Sequence, residues 1–201
     1  MRSMIHIIGV SHRVQAKPKG EVDTTDQTTY RQVLVAAIKQ IKPVLVGEEY
    51  SETAVAKKGS ETKREHESIT KEVANSLNVE HRYCDPDPSE RTKMGYVEGH
   101  ALVMKYAWED DPDYNARAYA EEMVKYWPRR ERFWAEKLKE AQDRDVVFVC
   151  GDAHVESFRK VLDKNHMSST VHSRRIGINQ ADDDSLSGIQ AYIEAHPELR
   201  P

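Results

Sequence analysis

Four short apolar runs stand out along the chain, and charged stretches with helical spacing separate them. The runs are continuous rather than alternating, which is typical of strands buried on both faces of a parallel sheet. Each is followed by a glycine or by an Asp-Pro turn, where the chain would leave the sheet. The pattern predicts strands at residues 4–8, 43–46, 79–84 and 145–150, and a fifth short strand at 169–172.

The stretches between the runs have the spacing of amphipathic helices. In the first of them, Val33, Ala37 and Ile41 share one stripe, with polar residues outside it. Pro128 interrupts the longest pattern, so we expect a break or kink there, and we expect a polar loop at 182–184. The predicted helices cover residues 28–41, 60–77, 115–141, 153–164 and 186–195.

The alternation of strands and helices indicates a fold class. Parallel pairing with right-handed crossovers gives an α/β fold, with a mainly parallel β-sheet and helices on both faces. We expect a single domain over residues 1–201, with an irregular insertion around 85–114. Ligands of such folds bind outside the carboxyl ends of the strands, so that edge is the place to look for chemistry.

Composition narrows the classes of partner. The 201 residues include 30 Lys+Arg and 34 Asp+Glu, a formal net charge of −4, whereas nucleic-acid-binding proteins usually carry a basic excess. No apolar run approaches the roughly 20 residues of a membrane helix, and the first residues lack the features of a secretory signal. We expect a cytoplasmic protein with a small-molecule or peptide substrate and with no nucleic-acid or membrane partner. The aromatic-rich region 106–134 could form a homodimer contact.

Polar residues are concentrated where the predicted strands end. Two G-x-x-H segments, ending in His12 and His154, each follow an apolar run, and the pair Glu48-Glu49 follows another. A single G-x-x-H is more often a helix cap or a core hydrogen-bond donor, but both copies with an acidic pair indicate a site. Such a set can bind a divalent metal, with His12, Glu48 and His154 as the ligands. It can equally supply a general acid and a general base, and the residues alone leave both alternatives open.

Other chemically capable side chains have simpler interpretations. Arg130 could reach an oxyanion or a carboxylate with its guanidinium, although its spacing alone favours a solvated charged face with i, i+4 pairs. Trp127 is expected to pack in a core or a subunit contact rather than against a substrate. His81 has no partner at a spacing that suggests a ligand set, and Cys150 is expected to be an inert core thiol.

The order of these segments resembles that of a known superfamily. Its shared pattern is G-x-x-H, then Glu, then R-[NE]-x-x-[MW]-A, then G-x-x-H, and this chain has GVSH, GEEYSE, RERFWA and GDAH in that order. The chain thus resembles the TraB/Tiki, ChaN and erythromycin-esterase-like group. Arg91 would match an arginine that some members carry after the third strand. The resemblance assigns active-site positions to His12, Glu48 or Glu49, Arg130, Glu131 and His154.

Members of that group include metal-dependent proteases, a haem-binding protein and an esterase, so the resemblance implies more than one function. We predict a metal-dependent or metal-assisted hydrolase, with a divalent metal of unspecified identity and with Arg130 stabilising the oxyanion. The alternative is a non-catalytic protein that holds a ligand or haem in the same pocket, with Tyr50, Tyr83 or Tyr96 as a haem ligand. A nucleotide-binding regulator ranks below both, because the chain has no glycine-rich phosphate motif.

Overall fold

In the computed structural model, which describes residues 3–56 and 65–199, five parallel strands form one sheet with helices on both faces. The strands of the described residues are β1 (Ile5–Val10), β2 (Ala16–Pro18), β3 (Leu45–Glu48), β4 (His66–Ser68), β5 (Glu80–Tyr83), β6 (Val146–Gly151) and β7 (Ser169–Ile176). The order across the main sheet is β5-β3-β6-β1-β7, and β2 pairs with β4 in a separate antiparallel ribbon. The predicted α/β fold with a parallel sheet is confirmed.

Besides the helical residues 52–56, eight α-helices with described bounds connect and cover these strands. They are α1 (Thr25–Ile41), α2 (Ile69–Ser76), α3 (Pro88–Lys93), α4 (Gly99–Trp108), α5 (Tyr114–Glu121), α6 (Trp127–Leu138), α7 (Val155–Lys164) and α8 (Gln180–Ala195). A π-helical turn, Glu122–Tyr126, joins α5 to α6, and short 3-10 turns at His12–Val14 and Asp152–His154 follow β1 and β6. In the part of the chain that the structure covers, none of these helices has the length and apolar character needed to cross a membrane.

The central strand β6 separates two hydrophobic cores. All six of its residues are buried, and successive side chains point to opposite faces of the sheet. Phe148 packs with residues of α6 and α7 on one face, whereas Val147 and Val149 pack with residues of α1 and α2 on the other. This burial on both faces explains why β6 is a continuous apolar run in the sequence.

The connections place a crevice at the carboxyl end of β6. The helices that follow β1 and β3 cover one face of the sheet, and α7, which follows β6, covers the opposite face. In the sheet, β6 lies between β3 and β1. The chain leaves β6 toward one face of the sheet, and it leaves both neighbours of β6 toward the opposite face. Such a reversal opens the crevice in which ligands of open α/β sheets bind.

Several element boundaries differ from those predicted. The helix predicted over 60–77 begins only at Ile69, because Ser68 caps α2 by accepting a hydrogen bond from Lys71 N; residues 57–64 lie outside the described part. The stretch predicted as irregular contains α3 and α4, and α3 begins with a capping box of Asp87 and Glu90.

The carboxyl-terminal third also has longer elements than the pattern predicted. The strand expected at 169–172 continues to Ile176. The polar loop expected at 182–184 is part of α8, because Asn179 and Asp182 form a capping box that starts the helix earlier. The break expected near Pro128 is the π-helical turn Glu122–Tyr126, which ends where α6 begins. Pro128 is the second residue of α6, because proline is tolerated in the first turn of a helix.

Candidate active site at the strand ends

Neighbouring strands bring the two G-x-x-H segments together. β1 and β6 pair in parallel with Gly9 opposite Cys150 and Val10 opposite Gly151, and both strands then enter 3-10 turns that carry His12 and His154. β3 lies on the other side of β6, and Glu49 N extends its ladder by donating to Val149 O at 2.7 Å. The three segments therefore end at one edge of the sheet, as the sequence predicts.

Glu49 is the centre of the site. Its carboxylate is fully buried, and Oε2 accepts a hydrogen bond from Gly151 N at 2.7 Å. Oε1 lies 3.6 Å from Nε2 of His12 and 3.5 Å from Nε2 of His154. Two imidazoles from different strands thus converge on a single carboxylate oxygen.

Arg130 supplies a positive charge to the same oxygen. Its Nη1 lies 2.8 Å from Glu49 Oε1, but this contact lacks hydrogen-bond geometry, so Oε1 has no hydrogen-bond donor among the residues that the structure describes. Burial acts to raise the pKa of Glu49, but the attraction of His154, Arg130 and His12 outweighs it, and the pKa is lowered. Glu49 is therefore a carboxylate anion at neutral pH, and its free oxygen faces the two imidazoles.

Asp85 holds Arg130 in place. Its Oδ1 accepts hydrogen bonds from Arg130 Nε at 2.5 Å and from Trp134 Nε1 at 3.0 Å, and its Oδ2 accepts one from Arg91 Nη2 at 2.7 Å. Burial acts to raise the pKa of Asp85, but the two guanidinium groups and the indole lower it overall. Arg91, which the resemblance singled out, therefore contacts Asp85 and not the histidines directly.

His154 is a buried imidazole with a carboxylate partner. Its Nδ1 lies 2.8 Å from Oε1 of Glu131, which also accepts a hydrogen bond from Ser157 Oγ. An ionised carboxylate can only accept, so Nδ1 carries the proton and Nε2 faces Glu49. The rings of Trp127 and Trp134 pack against the imidazole, with centroids 3.9 and 5.0 Å away.

His12 is the accessible imidazole of the pair. Its side chain is 54% exposed, whereas that of His154 is 3% exposed. His12 Nδ1 donates to Oε1 of Gln15 at 2.9 Å, and Gln15 is fully buried. Sequence reasoning missed Gln15; the available signal was a polar residue between the apolar Val14 and Ala16.

The glycines of the two G-x-x-H segments make room for this arrangement. A Cβ on Gly151 would lie 2.7 Å from His12 Nε2, and one on Gly9 would overlap Asp152 Oδ1. Contacts this short force a side chain to move. The glycines are thus required because other groups occupy the space of a Cβ.

The structure separates Glu48 from the two histidines, which corrects the predicted ligand set of His12, Glu48 and His154. Successive residues of a strand face opposite sides, and Glu48 Oε1 accepts hydrogen bonds from Ser68 Oγ at 2.6 Å and His81 Nε2 at 2.7 Å. His81, for which the sequence suggested no partner, therefore pairs with Glu48. Glu49 takes the position between the imidazoles.

The two cysteines are not part of the reactive set. Both are buried and free. Burial raises the pKa of Cys84 to about 12, and burial next to Glu49 and Glu131 also raises the pKa of Cys150. Neither thiol is ionised at neutral pH, so neither is an activated nucleophile.

The donor set fits a divalent metal in its chemistry. Each imidazole donates its Nδ1 proton to a protein oxygen, Gln15 or Glu131, which leaves Nε2 of both rings facing a carboxylate oxygen that lacks a donor. Ligating histidines characteristically have such a second partner. In residues 3–56 and 65–199, however, no group of three His, Cys, Asp or Glu side chains has the arrangement of a ready metal site. Arg130 already supplies positive charge to Glu49.

A cleft of about 320 Å³ lies over the paired histidines, and its wall includes His12, Gly151, His154 and Trp127. Clefts of about 610 and 830 Å³ lie elsewhere on the described surface, but neither is lined by the two histidines. The convergence of reactive groups, rather than volume, marks the smaller cleft as the candidate site. Comparison with the models of known protein families, with curated proteins and with solved structures gives no match in any of the three.

Proposed function

We propose that this protein is a hydrolase that cleaves an ester or amide bond of a small molecule at the His12–Glu49–His154 centre. The observation that carries the proposal is the approach of two imidazole Nε2 atoms to one buried carboxylate oxygen, at 3.6 and 3.5 Å. The resemblance to the TraB/Tiki, ChaN and erythromycin-esterase-like group, which stays a prediction, points to the same residues.

His12 is the general base in this proposal. It is half-exposed, so water and substrate can reach it, and Gln15 holds its proton on Nδ1. Nε2 then takes a proton from the water whose oxygen attacks the substrate carbonyl carbon. The Glu49 carboxylate, 3.6 Å away, stabilises the imidazolium that forms.

His154 is the general acid. Glu131 stabilises its protonated form through Nδ1, and the proton on Nε2 passes to the leaving oxygen or nitrogen as the carbonyl–heteroatom bond breaks. His12 then returns its proton to solvent and His154 regains one, so each turnover consumes one water. Two imidazoles with different second partners, an amide and a carboxylate, are suited to these opposite roles.

Arg130 takes a role different from the predicted one. Direct oxyanion stabilisation would need a free guanidinium edge facing the substrate, whereas Arg130 is ion-paired with Glu49 and Asp85. In the proposal it keeps Glu49 ionised and fixed. If a divalent ion is bound, His12, Glu49 and His154 would hold it, and it would acidify a water and polarise the carbonyl.

The test is hydrolysis of p-nitrophenyl acetate and butyrate and of matched anilides by the full chain. Glu49→Gln removes the central charge at constant size, and we expect kcat/KM to fall at least about 100-fold. Glu48→Gln is the matched control on the neighbouring residue, and we expect it to retain activity within about threefold. His12→Ala should lose activity, whereas His100→Ala, at an exposed position of α4, should not.

Metal content is measured on the same samples. Elemental analysis before and after dialysis against a chelator, with activity assayed at each stage, separates the metal-dependent from the metal-free form of the mechanism. Equal turnover by the wild type, Glu49→Gln and His12→Ala would remove the proposed centre, whatever the metal content.

A further inference from the structure

The cleft over the paired histidines is lined by apolar side chains and by arginines that are ion-paired with aspartates. Together these two features indicate a substrate class. We propose that Trp127, Ile178 and Leu186 form the subsite for an uncharged, apolar group of a small ester or amide substrate. This inference rests on the proposed hydrolysis and names what that site would accept.

Trp127 is positioned by an unusual turn. It is the first residue of α6 and follows the π-helical turn Glu122–Tyr126, and such turns occur frequently at functional sites. Its indole lies 3.9 Å from the imidazole of His154 between ring centroids, yet the side chain is only partly buried and lines the cleft. A partly exposed indole beside a reactive group offers a large apolar surface to a ligand.

The other large apolar side chains of the lining come from the carboxyl-terminal part of the chain. Ile178 follows β7, Leu186 lies on α8, and both are partly buried and line the same cleft as Trp127. None of the residues of α8 is fully buried, so Leu186 keeps apolar surface available in the cleft. A ligand group that contacts these side chains and Trp127 would remove that surface from water, which is favourable.

Both arginines that line the cleft are already paired with aspartates of the lining. Arg174 donates to both carboxylate oxygens of Asp152, at 3.2 and 3.1 Å, and Arg175 donates to both oxygens of Asp183, at 3.0 and 2.6 Å. Asp182 accepts a hydrogen bond from Asn179 N at 3.0 Å. Each arginine of the described lining thus already has an aspartate partner that a substrate carboxylate or phosphate would have to replace, and burying such a group unpaired is costly.

The volume adds a limit on size. At about 320 Å³ the cleft is at the small end of the range of about 300–1,000 Å³ for small-molecule sites. It suits an aromatic ring with a short acyl chain rather than a long polymer. Apolar surface, paired charges and small volume are three separate observations, and all three favour a small neutral substrate.

The experiment compares two anilides of similar size by isothermal titration calorimetry with the full chain. Butyranilide is neutral, and succinanilate ends in a carboxylate. We expect butyranilide to bind with a Kd at least about tenfold lower than that of succinanilate, a difference of about 1.4 kcal/mol. Trp127→Ala should raise the Kd of butyranilide about fivefold or more, whereas Trp127→Phe, which keeps an aromatic face, should change it less than about twofold.

Trp108→Ala is the matched control, because Trp108 is 83% exposed on α4 and does not line the cleft. Thermal denaturation of each variant establishes that it is folded. Equal or tighter binding of succinanilate, unchanged binding of butyranilide by folded Trp127→Ala, or no binding of either anilide would each overturn the inference. Binding as expected without hydrolysis of any ester or anilide would instead remove the proposed function and leave the subsite.

Discussion

Gln15 and His12 are joined by a hydrogen bond of 2.9 Å between Oε1 and Nδ1, and the glutamine that accepts it is fully buried. The amide nitrogen of Gln15 has no partner among the described residues. A buried amide side chain with a hydrogen bond to its oxygen but none from its nitrogen lowers the stability of the fold. The contact with His12 is therefore the reason to keep a glutamine here.

We predict that Gln15→Leu reduces kcat about 10-fold or more, because the proton of His12 is no longer held on Nδ1 and can occupy Nε2. Stability should change by less than about 1 kcal/mol, since the variant also removes the unpartnered amide nitrogen. Gln15→Glu should restore activity and move the lower limb of the pH–rate profile upward, because a carboxylate raises the pKa of a neighbouring imidazole. Steady-state kinetics from pH 5 to 9 and urea denaturation would show this. Full activity of Gln15→Leu would mean that Gln15 does not position His12.

Gly151→Ala should reduce activity more than it reduces stability. The added Cβ would lie 2.7 Å from His12 Nε2, while φ −56° and ψ 136° are accessible to alanine, so the strain falls on the histidine. We expect kcat/KM to fall at least about 10-fold, since misplacement by about 1 Å costs far more in catalysis than in folding. Gly188→Ala, on the open surface of α8 with nothing within 4 Å of its Cβ, is the control, and should leave activity intact and add up to about 1 kcal/mol of stability. Similar kinetics for the two variants would contradict the proposed crowding.

The sequence predicts that the two histidines meet at one edge of the sheet, but it does not predict the full set of site residues. Apolar runs that end in G-x-x-H place His12 and His154 on parallel strands, and parallel strands end at one edge, so their convergence follows from local pattern. Whether Glu48 or Glu49 joins them depends on which face of β3 turns toward α6, and the alternation of a strand does not say which face that is. In the structure, Arg130 of α6 contacts Glu49, and Asp85, 45 positions away in the chain, holds Arg130 in place. It is therefore Glu49 that joins the histidines.

The residues that the pattern missed share a cause. Arg130 has the spacing of a solvated helix face, and its burial follows only from the ion pairs with Glu49 and Asp85. The sequence predicts Trp127 to be a packing residue, and its exposure to the cleft depends on the π-helical turn before it. Both are set by tertiary contacts, which override local propensity. The resemblance to a known group, by contrast, selected Arg130 from its motif alone.

Glu131→Gln should impair catalysis strongly with little change in substrate affinity. The neutral amide no longer stabilises the imidazolium form of His154, which must carry a proton on Nε2 as well as on Nδ1 to act as the acid. By analogy with the loss of about 10⁴ in kcat when a serine-protease aspartate is replaced by asparagine, we expect a decrease of at least about 100-fold in kcat. Ser157→Ala removes a second donor to the same oxygen and should cost less than about fivefold. Unchanged kcat of Glu131→Gln, measured under saturating substrate, would exclude His154 as the general acid.

Asp85 should make the stability of the protein depend on acid pH. Its pKa is lowered from the ordinary value of 3.8, chiefly by Arg130 and Arg91 against the opposing effect of burial. A carboxyl whose folded-state pKa is depressed contributes stability above the unfolded-state pKa, and loses it as the pH falls through the folded-state pKa. Asp85→Asn removes this contribution and leaves Arg130 with one carboxylate instead of two. We expect the variant to be less stable than the wild type by about 3–5 kcal/mol at pH 7, the cost of breaking a buried ion pair.

The difference should begin to shrink as the pH falls through the ordinary value of 3.8, and it should be lost only as the pH falls through the lowered folded-state pKa, where Asp85 of the folded wild type becomes neutral. Urea denaturation of both proteins between pH 2.5 and 7, with Asp143→Asn at an exposed position as the control, measures the two curves. A difference that stays constant over this range would show that the loss comes from altered packing around Trp134 rather than from the charge of Asp85. Because Arg130 also contacts Glu49, Asp85→Asn should lower kcat at pH 7 even in molecules that remain folded.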